Sequence, residues 1–117
     1  MPGTLPTMTA PVRTALLGYG YAGRTLHAPL IAAAPGLSLE AVGSRRPEAV
    51  HADWPGLRVV EDPMALATDP GIDLVVIATP NDSHHPLARA ALEAGKAVVV
   101  DKPFTVTLAQ ARELVAL

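Results

Sequence analysis

Three glycines near the amino end, in Gly18-Tyr19-Gly20-Tyr21-Ala22-Gly23, have the spacing G-x-G-x-x-G. An apolar run precedes them and a helical pattern follows, which is the setting in which this spacing cradles a pyrophosphate. The first glycine permits the tight turn, the second lets the backbone approach phosphate, and the third lets helix and strand pack closely. The helix opened by Tyr21, Ala22 and Gly23 then points unpartnered N–H groups and a partial positive charge at the anion. Dinucleotide binding is the expected chemistry. A bare glycine turn and a methyltransferase-type nucleoside site are the competing readings. About twenty residues further on, NAD-specific domains hold the ribose 2′-hydroxyl with Asp or Glu. Here the sequence reads Gly43-Ser44-Arg45-Arg46, with no carboxylate at the strand tip. A serine and two guanidinium forks suit the phosphate oxygens that distinguish NADP from NAD. NADP is therefore the expected cofactor, with NAD as the alternative. The plain reading is that Arg45 and Arg46 are solvated beside Pro47, with Glu48 as a surface partner.

Two further apolar runs end in residues able to do chemistry. One leads into Ala78-Thr79-Pro80-Asn81-Asp82-Ser83-His84, the other into Asp101-Lys102-Pro103. Ligands of open α/β sheets sit at the carboxyl ends of the strands, which is where both segments fall. Lys102 in such a place can hydrogen-bond an oxygen and share in proton transfer; otherwise it is an ordinary exposed lysine. His84 and His85 are adjacent on a predicted helix, so they diverge by about 100° and do not make a zinc site with Asp82. No metal is expected.

Elements must place these groups, and the sequence alternates between two periods. Short apolar runs at 12–17, 39–42, 74–78 and 97–100 read as strands, and segments with helical spacing follow them. Residues 58–60 form a weak strand at a sheet edge. The alternation calls for βαβ units and an α/β fold: a doubly wound parallel-sheet Rossmann domain, strand order 3-2-1-4-5, ending before the usual sixth strand. Local signals agree. Asp62-Pro63 reads as an N-cap with proline at the first helical position, Gly95 as a helix C′ residue, and Thr107 with Gln110 as a capping box. Pro29 falls inside the first helix, 22–34, and predicts a kink or break. Asp53-Trp54-Pro55 reads as a packed loop with a buried ring.

Composition bounds the class. The 117 residues suffice for one domain, half of them are hydrophobic, and aromatics make up only 3%. A core of Val, Leu, Ile and Ala fits parallel strands covered on both faces. The formal charge is −2 with no basic block, so neither nucleic acid nor an anionic membrane is an expected partner. There is no cysteine, which fits a reducing, cytoplasmic setting. Apolar runs are too short to cross a bilayer. Residues 1–11, with Pro2, Pro6 and Pro11 and no apolar stretch, read as a flexible tail before the domain at 12–117.

The set Thr79-Pro80-Asn81, Ala94-Gly95-Lys96 and Asp101-Lys102-Pro103 resembles the Gfo/Idh/MocA oxidoreductases over nearly all of residues 13–117. His27-Ala28-Pro29-Leu30, Ala52-Asp53-Trp54-Pro55 and the segment 101–107 look most like a bacterial branch related to NADP-dependent scyllo-inositol dehydrogenases. The resemblance implies a dehydrogenase that moves hydride between NADP and a sugar, an inositol-like polyol or a related hydroxyl or carbonyl compound. It implies that Thr79, Pro80 and Asn81 line the cofactor near the nicotinamide, that His84 faces the same cleft, and that Lys102 is catalytic, beside the reacting carbon. Asp101 stands where the family usually has Glu; its shorter side chain would still orient Lys102 or bind backbone beside the cofactor. A carboxyl-terminal substrate domain would follow this one. The domain alone would then bind nucleotide without turning over substrate, and the docking face would be apolar and exposed. The parent enzyme is expected to be a homo-oligomer. Two other readings stand: a non-catalytic NAD(P)-sensing module, and a transferase using another nucleoside cofactor. The isomer of the Lys102–Pro103 bond is open.

Overall fold

The short apolar runs become five strands: β1 (Val12–Leu17), β2 (Leu37–Gly43), β3 (Arg58–Val60), β4 (Leu74–Ile77) and β5 (Ala97–Val100). The computed structural model describes residues 10–101 and 108–117. Every pairing is parallel and the order is β3-β2-β1-β4-β5, as the sequence predicts. β1 is the central strand and alternates its side chains between two cores. Ala15 and Leu17 join Leu66, Ile77, Leu87 and Leu114 on one face, under α3 (Pro63–Ala67), α4 (His84–Glu93) and α5 (Leu108–Ala116). Leu16 joins Val42, Val76, Ile31 and Val50 on the other, under α1 (Ala28–Ala33) and α2 (Pro47–Asp53). Leu16 and Leu17 are both fully buried, and cutting either to alanine costs about 2–5 kcal/mol.

The local signals act as their chemistry dictates. Asp62 accepts from the Met64 N–H at 3.0 Å and Pro63 takes the first turn of α3. Gly95 ends α4 at φ +81, with its N–H on the Leu92 carbonyl (3.0 Å) and the Lys96 N–H on Ala91 (2.9 Å), a Schellman pair. The break expected at Pro29 takes the form of a π turn. Residues 21–33 are helical throughout, but Gly23–His27 is π-helical and the Ala28 N–H reaches back to the Gly23 carbonyl. Proline has no N–H to continue the α pattern, so the ladder is reset before it and Pro29 enters α1 in its first turn, where that loss is tolerated. Trp54 caps the end of α2, and its ring is partly, not fully, buried against the second core. β3 and β5 are the two sheet edges; on β5, Ala97 and Val99 face outward and Val99 is about half exposed. The predicted tail lies outside the described residues except for Ala10 and Pro11, which are exposed; Thr107, the Lys102–Pro103 bond and Lys102 itself also lie outside them. Among the described residues no helix is long and apolar enough to cross a membrane.

The amino ends of the strands are tied by charge. Arg13 gives its backbone N–H, Nε and Nη2 to the Asp73 carboxylate, all within 3.0 Å, joining the start of β1 to the turn before β4. Arg58 pairs with Asp69 at 2.9 Å, and Lys96 donates to the Asp69 carbonyl at 2.6 Å. The Arg13 guanidinium, helped by its backbone N–H, holds the Asp73 carboxyl down to about 2. A depressed carboxyl pKa stabilises the fold above the unfolded value near 4, and that contribution is lost as pH falls through the folded value. Asp73→Asn is therefore expected to lower the melting temperature modestly at pH 7, with the gap to the wild type closing between about pH 4 and pH 2. Thermal unfolding followed by circular dichroism across that range checks it; a gap constant down to pH 2 would sink the assignment.

Candidate functional site

At the opposite end of the sheet the carboxyl tips of β1 and β4 diverge toward loops on either side, the switch point of a doubly wound fold. Three glycines shape the β1 tip in three different ways. Gly18 has φ +98, and a Cβ there would lie 2.7 Å from the Ala78 carbonyl oxygen at the β4 tip. A Cβ on Gly23 would lie 2.3 Å from the Gly18 carbonyl oxygen, so this glycine lets the helix start against the loop. A Cβ on Gly20 would meet nothing within 4 Å. The fold requires glycine at 18 and 23 and has no steric need of it at 20.

A cleft of about 630 Å³ opens over Gly20. Gly18, Tyr19 and Gly20 form its floor, Gly43, Ser44, Arg45 and Arg46 one wall, and Thr79, Pro80 and Ser83 the other, with Glu61 and Pro63 at the β3 side. Three groups of expected residues thus meet: the glycine loop, Ser44 with Arg45 and Arg46, and Thr79 with Pro80. The Ser44 Oγ accepts from the Arg46 N–H at 3.0 Å and the Ser44 N–H bonds the Val60 carbonyl at 3.0 Å, which fixes the turn that carries the arginines. Neither guanidinium has an ion pair or hydrogen bond among the described residues. The opposite wall is built locally. The Ser83 hydroxyl donates to the Pro80 carbonyl (2.6 Å) and shares a second bond with the Thr79 hydroxyl (2.5 Å).

His84 is placed otherwise than expected. It is 1% exposed and lies beneath this wall, with Nε2 on the Thr79 carbonyl at 2.9 Å. A carbonyl only accepts, so Nε2 carries the proton and the ring supports the loop from behind, where the start of α4 dips into the core. Tyr21 (83% exposed) and Asn81 are on the surface outside the cleft lining, and Ala22 and Gly23 lie below it in the helix start. Asp101, at the end of β5, gives its N–H to Ile77 and sets its carboxylate 3.5 Å from His27 Nε2, a buried nitrogen with no hydrogen bond. His85 pairs with Glu113 of α5. Among the described residues no three His, Asp or Glu side chains gather to hold a metal ion.

One cluster has no counterpart in the sequence reading. Tyr19 donates its hydroxyl to Asp53 at 2.6 Å, and Arg24 Nε bonds the same carboxylate oxygen at 2.9 Å. Burial first, then this bond, raises the Tyr19 phenol; the Tyr19 bond first, then Arg24, lowers the Asp53 carboxyl. The pair latches the glycine loop to the end of α2, whose beginning carries Arg46. The only sequence cue was Tyr19 inside the glycine motif, since Asp53 is 34 residues away.

The groups present fit a nicotinamide dinucleotide: an open backbone cradle at Gly20, a helix start behind it, and, one strand away, two cations unpaired among the described residues. A Gfo/Idh/MocA family model, described as an oxidoreductase family with an NAD-binding Rossmann fold, matches residues 12–117. The uncharacterized oxidoreductase YdgJ of Escherichia coli is 62% identical over 110 residues, which are 94% of this chain and 32% of that protein. The scyllo-inositol 2-dehydrogenase (NADP+) IolW of Bacillus subtilis is 33% identical across 88% of this chain and 29% of its own length. An NAD+ scyllo-inositol 2-dehydrogenase of the same organism is 36% identical across 86% and 30%. The crystal structure of Synechocystis biliverdin reductase with biliverdin and NADP+ superposes with a TM-score of 0.82 at 38% identity, covering 92% of this chain and 34% of that one. The chain thus spans about a third of the length of the curated relatives it matches.

The glycine geometry makes a stability prediction. Gly18→Ala is expected to destabilise by about 1–3 kcal/mol from its backbone conformation alone, with the close approach to Ala78 added. Gly23→Ala should cost at least as much, whereas Gly20→Ala should stay within about 0.5 kcal/mol of the wild type. Urea unfolding of the three variants checks the order; a destabilised Gly20→Ala would show that position 20 serves the fold.

Proposed function

We propose that this chain, which belongs to the Gfo/Idh/MocA oxidoreductase family, holds NADP for an enzyme that moves hydride to or from a sugar, an inositol-like polyol or a related hydroxyl or carbonyl compound. The observation that carries the reading is the convergence on one cleft of an unobstructed Gly20 with Arg45 and Arg46, whose guanidiniums are unpaired among the described residues. A pyrophosphate over Gly20 places the 2′ position of the adenosine ribose toward the β2 tip. There the two guanidinium forks bind a phosphate, and Ser44 holds the turn that presents them. Thr79 and Pro80 form the wall on the nicotinamide side, kept in shape by Ser83 and His84. The bound dinucleotide supplies or accepts the hydride. Lys102 follows Asp101 directly; in this reading its ammonium bonds the substrate oxygen and gives or takes the accompanying proton. The remaining two thirds of the relatives' length is the proposed source of the substrate pocket. The inositol dehydrogenases among the relatives support a polyol substrate.

Isothermal titration of the chain with NADPH and NADH tests the cofactor assignment. NADPH is expected to bind more tightly. Replacing both Arg45 and Arg46 with alanine should weaken NADPH about ten- to a hundredfold, in line with loss of charge-assisted bonds, and bring it close to NADH. Gly20→Ala should weaken both nucleotides together, because a methyl group enters the cradle. Tighter NADH in the wild type would overturn the NADP assignment. A folded chain that binds neither would overturn the dinucleotide reading and favour another nucleoside ligand.

A further inference from the structure

The β2 tip carries no carboxylate, yet the cleft contains one. Glu61 follows β3 directly and lines the cleft that Ser44, Arg45 and Arg46 also line. Register fixes its place. Gly43 pairs with Val60, and the Ser44 N–H bonds the Val60 carbonyl, so Ser44 and Glu61 are the next residues on neighbouring strand tips. Adjacent strands are about 4.8 Å apart. A glutamate side chain spans that distance easily. Glu61 has no ion pair or hydrogen bond among the described residues, and it does not neutralise either arginine.

We propose that Glu61 is a specificity-determining residue: it accepts the ribose 2′-hydroxyl when NAD occupies the cleft, while Arg45 and Arg46 take the 2′-phosphate when NADP does. The proposal rests on the dinucleotide reading above and deepens it. The acceptor that NAD-specific domains carry on the second strand is here supplied from the third. A carboxylate is a strong acceptor for a hydroxyl donor and repels a phosphate; the guanidiniums do the reverse. Holding both, unpaired, in one cleft allows the protein to use either cofactor, with the balance set by the charges around one atom. Glu48, in the first turn of α2, and Asp62, whose carboxylate caps α3, are carboxylates near the cleft that are not part of its lining.

The test is isothermal titration of the 117-residue chain with NADH and NADPH, comparing the wild type with Glu61→Ala, Glu61→Gln and Glu48→Gln. Glu61 is exposed, so folding is not at stake, and circular dichroism verifies it. Glu61→Ala should weaken NADH about tenfold and leave NADPH unchanged or tighter. Glu61→Gln keeps an acceptor but removes the charge, so it should spare part of the NADH affinity and tighten NADPH, with the NADPH gain shrinking as salt screens the lost repulsion. Glu48→Gln should move neither. An NADPH-to-NADH ratio that stays constant in both Glu61 variants would overturn the role of Glu61 and leave the dinucleotide reading intact. Absence of affinity for either nucleotide in the folded wild type would overturn both.

Discussion

The approach of β1 to β4 at their carboxyl ends is the constraint on which the rest of the molecule depends. Gly18 and the Ala78 carbonyl sit where no side chain fits between them: a Cβ on Gly18 would lie 2.7 Å from the carbonyl oxygen. That closeness lets the Ala78 N–H bond Leu17 and carries the parallel pairing to the very tip of the strands. Beyond it the two chains must part, one into the glycine turn and the other into the Thr79–Pro80 turn. The cleft is the space they leave.

Charge is distributed along the strand axis to match. At the amino ends, Arg13, Arg58 and Lys96 are all satisfied by Asp73, Asp69 or a backbone carbonyl. The two ion pairs are solvent-exposed and individually small and the Lys96 bond is part-buried, but together they join successive turns on one side of the sheet. At the carboxyl ends, the side chains of Arg45, Arg46 and Glu61 have no hydrogen-bond or ion-pair partner among the described residues. Arg24 is the exception that clarifies the pattern: it bonds Asp53, the carboxylate that also accepts from Tyr19, and so ties the glycine loop to the end of α2. Charge is committed to structure at one end of the sheet and left uncommitted among the described residues at the other.

Much of this was legible in the sequence because it depends on near neighbours. The glycine motif, the cap at Asp62, the C′ residue Gly95 and the break at Pro29 are decided within four or five residues, where chain geometry leaves few choices. Strand order followed from the alternation of periods together with the glycine signature of a dinucleotide-binding fold. Side-chain partners across strands did not follow. Nothing near Asp53 announces Tyr19, and nothing near Ser44 announces a glutamate one strand away, because sheet register is set by packing of the whole domain. His84 was expected in the cleft from the family resemblance alone. It opens α4 on the face shared with Leu87, Ala88 and Ala91, and the packing of that face buries it. Pro29 signalled that the helix must yield, and the structure decided that it would yield by a wider turn rather than a bend.

That wider turn divides the first helix into two halves with independent angular phase. A π turn holds one residue more than the α pattern, which rotates everything before it by about 100° relative to everything after. Ile31 can therefore keep its place in the core while the glycine half turns as its own contacts require, and His27 swings across to the end of β5. Removing a single residue from this turn would restore a regular helix and misalign the two halves. Length at this point of the chain is as tightly specified as residue type.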